Sequence, residues 1–100
     1  MGSPFSVRSV AWKNNVQLSV CDHDLLGKTL REGKLQMHIS KDYFGGQLVG
    51  EEEALKLMKE SSVVNLAGER AVAIAVSNRL ASEKAVRIIQ GVPFLMIYKF

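Results

Sequence analysis

The chain has 100 residues, 47% of them hydrophobic and 23% charged, with a formal net charge of +3. This balance excludes a disordered tail, a collagen-like rod and a multidomain assembly, and points to a single globular domain over residues 1–100. A chain of this length buries roughly two-thirds of the surface it exposes when unfolded, so one core is expected without disulfides, which the single cysteine, Cys21, could not form within the chain in any case.

Residues 5–12 alternate imperfectly between apolar and polar, Asn14 and Asn15 supply a turn, and Val16, Leu18 and Val20 then alternate with Gln17, Ser19 and Cys21, which predicts a hairpin. Asp22 suits the N-cap of a single helical turn carrying Leu25 and Leu26, with Gly27 in the position that stops it. Lys28 to Gly33 reads as a polar connection, and Leu35, Met37 and Ile39 alternate with Lys34, Gln36 and His38 as a half-buried strand. Tyr43 and Phe44 precede Gly45 and Gly46, where the chain reverses before a short extended piece at Gln47 to Val49. Glu51, Glu52 and Glu53 open a helix that closes on Lys56 and Lys59, an order that complements the helix dipole, with Ala54, Leu55 and Met58 inward. Ser61 to Asn65 is ambiguous, and Leu66 to Leu80 has the spacing of a second helix. Val86 to Gln90 and Phe94 to Phe100 read as closing strands linked by Gly91, Val92 and Pro93, with Phe94, Met96, Tyr98 and Phe100 on one face. The expected fold is therefore α+β, a small mainly antiparallel sheet with two main helices packed on one side.

Charge is spread as +2, −2 and +3 over residues 1–49, 50–60 and 61–100, with no basic run, so any basic patch has to be assembled by folding. Arg8, Lys13, Lys28, Arg31, Lys34, Lys41, Arg87 and Lys99 are its candidates. Cys21, Asp22, His23 and Asp24 form the densest polar cluster, but lack the paired spacing of a zinc site, and no metal or other cofactor is expected. A nucleophilic Cys21 would need His23 or His38 as base and some source of thiolate stabilisation, for which no spacing speaks, so no catalytic residue is assigned. Gly27, Lys28 and Thr29 imitate the end of a phosphate loop, yet its first glycine would fall on Asp22. Glu69 and Arg70 are adjacent on a helix and project about 100° apart, so separate partners suit them better than a mutual ion pair. Structural anchoring accounts for both; alternatively, Arg70 and the region of Lys28, Arg31 and Lys34 line one ligand surface, where a guanidinium fork would hold phosphate or carboxylate.

CDHDLLGKTLREG from Cys21, then LQMHIS, YFGGQLV, NLAGERAV and IIQGVP, in order between Val16 and Pro93, resemble the archaeal family of domain of unknown function 424. The matching positions are Cys21, Asp22, Leu25, Leu26, Gly27, Arg31, Glu32, Gly33, Gly45, Asn65, Gly68, Glu69, Gly91 and Pro93. The resemblance implies a small single-domain archaeal protein and a cytoplasmic location, and brings no activity with it. It departs where the family pattern has a histidine after Pro93 and this chain has Phe94, Leu95 and Met96.

Three functions follow as expectations. The first is a binding module for structured RNA, in the setting of the ribosome or another ribonucleoprotein of translation, with Lys28, Arg31, Lys34, Lys41 and Arg70 on phosphates and an exposed Tyr43 or Phe44 stacking on a base. The second is a protein-interaction or assembly domain, with a protein partner or a second copy pairing with the apolar C-terminal strand if that strand lies at a sheet edge. The third is a small enzyme using Cys21 and His23. No apolar run approaches the ~20 residues of a membrane-spanning helix, so no membrane partner is expected.

Overall fold

A computed structural model describes residues 4–99. Phe100, expected to extend the last strand, lies outside them. The element order is β1 (Phe5–Trp12), β2 (Asn15–Asp22), a 3₁₀ turn (His23–Leu25), β3 (Thr29–Glu32), β4 (Leu35–His38), α1 (Lys41–Phe44), β5 (Gln47–Val49), α2 (Glu51–Glu60), β6 (Val63–Ala67), α3 (Glu69–Ser77), a second 3₁₀ turn (Glu83–Ala85), β7 (Arg87–Ile89) and β8 (Val92–Tyr98). Six strands form one sheet in the order β5-β1-β2-β6-β8-β7, and β3 and β4 form a separate hairpin. All pairings are antiparallel except β2 with β6. The expected α+β class is thus the observed one, with α2 and α3 together on one face.

Side-chain alternation in the strands creates two unlike faces. Phe5, Val7, Leu18, Val20, Val64, Leu66, Leu95 and Ile97 face α2 and α3, where they close a core with Ala54, Met58, Ala71, Val72, Ile74 and Ala75. Leu18 and Met58 are fully buried, and each such side chain contributes about 2 kcal/mol by leaving water. Alanines at positions 71 and 75 let α3 approach the sheet closely. On the opposite face, the β3–β4 hairpin and α1 lie over a smaller cluster of Cys21, Leu30, Ile39, Phe44, Ala67, Ile89 and Phe94.

Several expectations need correction. Thr29–Glu32 is not a connection but strand β3, paired with β4 and anchored by the buried Leu30; a single apolar residue among polar ones left no periodicity to read. Leu35, at the start of β4 next to the hairpin turn, is exposed despite its place in the alternation. Where a bare reversal was expected, Lys41–Phe44 forms α1, with the Ser40 hydroxyl accepting from the Tyr43 amide. Leu66 and Ala67 belong to β6 rather than to the second helix, since β6 is held between β2 and β8 by backbone pairing on both sides. Gly68, at φ 112°, then turns the chain into α3, which stops at Ser77 rather than Leu80. In the first hairpin the left-handed residue is Lys13, at φ 55°, and Asn15 is already paired with Trp12.

Candidate functional site

On the sheet face away from α2 and α3, β6 presents Asn65, β8 presents Phe94 and Met96, and β7 brings Arg87 and Ile89 alongside. The hairpin and α1 cover only part of this face. Where they stop, a cleft of about 510 Å³ remains, walled by Met37, His38, Tyr43 and Phe44 from the covering layer and floored by Phe94, Met96 and Ile89. A pocket of this size with mostly apolar walls and a few polar groups has the make-up of a ligand site.

Its polar groups are held from behind. The Tyr43 hydroxyl accepts from Gln17 Nε2 at 2.7 Å and from Asn65 Nδ2 at 2.8 Å, and its ring meets Phe44 edge-on, centroids 5.2 Å apart. Phe44 in turn is fixed through its carbonyl, which accepts from Ser6 Oγ at 2.9 Å, while Arg8 Nη1 donates to the Gly45 carbonyl at 3.5 Å. Opposite them, His38 Nδ1 shares a 2.8 Å hydrogen bond with Thr29 Oγ1. Two antiparallel strands therefore orient the histidine ring, and three sheet strands orient α1.

The motifs around Asp22, Gly68 and Pro93 meet elsewhere, at the junction of β2 with α3. Asp22 does not cap the turn that follows it. Its carboxylate instead accepts from the Arg70 amide at 3.1 Å and the Ala71 amide at 2.8 Å, filling the N-terminal donors of α3 from a distant part of the chain. Gly68 lets the two approach, because a Cβ there would lie 2.5 Å from Asp22 Cγ. The Gly68 amide bonds the Pro93 carbonyl at 2.9 Å. Burial pushes the Asp22 carboxyl above its ordinary value, partly offset by those two amides and by the Arg70 guanidinium. A shallower depression of about 380 Å³ beside this junction is bordered by Asp24, Glu69, Arg70 and Gly91.

Cys21 is fully buried, and burial first, then the nearby charges of Asp22 and Asp24, pushes its thiol up to about 12. A thiol so protonated is a poor nucleophile at neutral pH. Among the described residues no group of three or more His, Cys, Asp and Glu side chains converges as metal ligands, and no helix is long and apolar enough to cross a membrane.

Of the residues proposed from sequence, Lys28, Arg31, Lys34 and Lys41 are all exposed on the covering layer, Tyr43 is 44% exposed in the cleft wall, and Phe44, the other stacking candidate, is buried in the cluster beneath α1. Arg70 is not brought to them: it lies on α3 with its guanidinium 4.4 Å from the centre of the Phe5 ring, on the core side of the sheet. Arg87 is a basic-patch candidate in the sequence, His38 a candidate base for Cys21 and Asn65 a family-matching position, but that they join Met96 in one cleft is not legible there, since they come from β7, β4, β6 and β8 and meet only in the fold. The one available signal was the alternation that put Phe94 and Met96 on a common face.

A family model described as a protein of unknown function, DUF424, matches residues 11–100. The fold is similar to the crystal structure of an uncharacterized conserved protein from Methanopyrus kandleri, with a TM-score of 0.82 and 26% sequence identity over 97% of this chain and 92% of that one. No curated protein matches the chain.

Proposed function

The chain belongs to the DUF424 family, and from its geometry we propose that it is a binding module for structured RNA, working in the setting of the ribosome or another ribonucleoprotein. The observation that carries this reading is the cleft and what surrounds it. An apolar slot with an aromatic wall suits an unstacked base from a loop or bulge. Arg87 lines the cleft, and Lys28, Arg31, Lys34 and Lys41 are exposed on the layer that covers this sheet face, interspersed with Glu32 and Asp42, whereas α2, on the other face, begins with three glutamates. Phosphates flanking an inserted base would meet Arg87 at the cleft and the exposed cations of the covering layer.

Measured on an RNA stem-loop, affinity is expected to fall steeply with salt. The slope of log K against log salt should flatten by about 1 for each phosphate contact removed, so Arg31→Ala combined with Lys34→Ala, both exposed, should flatten it by about 2. Salt-insensitive binding, or none at low salt, would refute the proposal.

A second reading has its own observation. β8 is paired by β7 only over Val92 to Phe94, which leaves Leu95 to Tyr98 open on that side among the described residues, next to the exposed side chains of Ile88, Met96 and Tyr98. An open strand of this kind can pair with the same strand of a second copy. Sedimentation over a wide concentration range tests it, and a monomer throughout removes it.

A further inference from the structure

The hydrogen bonding around Tyr43 carries the argument one step further, resting on the RNA reading of the cleft. A phenol oxygen has one proton to give and two lone pairs to receive with. At Tyr43 both lone pairs receive, one from Gln17 and one from Asn65, each amide held on a strand of the central sheet. No acceptor among the described residues takes the hydroxyl proton, and Tyr43 borders the cleft. The side chain thus presents a donor there, fixed in position by the amides of Gln17 and of Asn65, which itself lines the cleft. Arg87, across the same opening, presents only donors.

We infer that the cleft discriminates between bases, with Tyr43 and Arg87 selecting a base that bears an exocyclic carbonyl (uracil, guanine or cytosine) over adenine, which has none. A carbonyl oxygen has two lone pairs and can receive from both the Tyr43 hydroxyl and the Arg87 guanidinium; on guanine the fork can also take N7 beside O6. Adenine has no carbonyl to offer, and at N1 and N7 its N6 amino group stands beside the ring nitrogen and sets donor against donor. Simple stacking on Tyr43 and Phe94 would give the opposite order, since a purine has the larger ring system.

The test compares two RNA stem-loops with the same stem, one with a loop of uridines and one with a loop of adenosines, titrated at fixed salt. The uridine loop is expected to bind about fivefold tighter, the worth of one ordinary hydrogen bond. Tyr43→Phe should bring the two loops toward parity with the salt slope unchanged. Because that variant leaves two amides without their acceptor, its thermal unfolding is followed alongside. Arg87→Lys, at an exposed position, keeps the charge while removing the fork, and should erode the same preference. Equal affinity of the unmodified protein for the two loops, or a preference for adenosine, overturns the inference and leaves the RNA reading standing. So does a preference that survives both substitutions. Binding to neither loop at low salt overturns both.

Discussion

Two backbone amides of α3, those of Arg70 and Ala71, depend on one carboxylate from the end of β2. Replacing Asp22 with alanine leaves both donors short of a partner in a buried setting, and is expected to cost about 2 kcal/mol, measured by urea unfolding. The pH dependence has a definite sign. A carboxyl whose folded pKa is raised by burial holds its proton longer in the native state than in the unfolded chain. Its contribution is full below the unfolded carboxylate value and is lost as pH rises through the raised folded value. The stability of the unmodified protein relative to Asp22→Asn should therefore decline over that interval and be flat above it; a difference growing with pH would refute the assignment. Cys21, one residue earlier, gives a simpler prediction. With its thiol buried and pushed up to about 12, it should resist a thiol-specific reagent at neutral pH in the native state and react fully in urea. Rapid native labelling would restore the enzymatic reading that its burial disfavours.

At the scale of elements, the sheet is unevenly protected. β6 is paired on both sides and covered on its inner face by α3, while β5 and β7 are three-residue edge strands. Amide exchange is expected to be slowest in β6 and in the part of β2 that pairs with it, approaching the global unfolding limit, and fastest in β5, β7 and the tip of the β3–β4 hairpin. Uniform protection across the sheet would contradict this ordering. The same unevenness explains how much the sequence discloses. The β1–β2 hairpin, β5 and α2 are readable because their signals are local: alternation, a turn, acidic residues at a helix start and basic ones at its end. β6 is not readable, because what makes Leu66 and Ala67 extended is partners far away in the chain. β3 hides for the opposite reason, since its single buried residue, Leu30, shows no pattern until the hairpin lies against the sheet. The candidate site divides in the same way. The exposed cations of the covering layer can be picked from composition, whereas the cleft, built from four strands and α1, exists only in the fold.

As a whole molecule, the chain keeps its two sheet faces for different purposes. One is sealed by α2 and α3 into the main core. The other is half covered, and its remaining opening is the cleft. The covering layer is strung between β2 and β6, the one parallel pair, whose first contact joins Val16 to Ser62 across 46 positions of chain. A parallel pair needs a long connection, and here that connection includes one wall of the cleft. The cleft and the centre of the sheet consequently come into being together, when this ring of chain closes. A molecule that fills the cleft therefore binds the folded chain and not the unfolded one: by mass action it draws on the equilibrium that folds the protein, and its affinity can be read as a rise in melting temperature with ligand concentration.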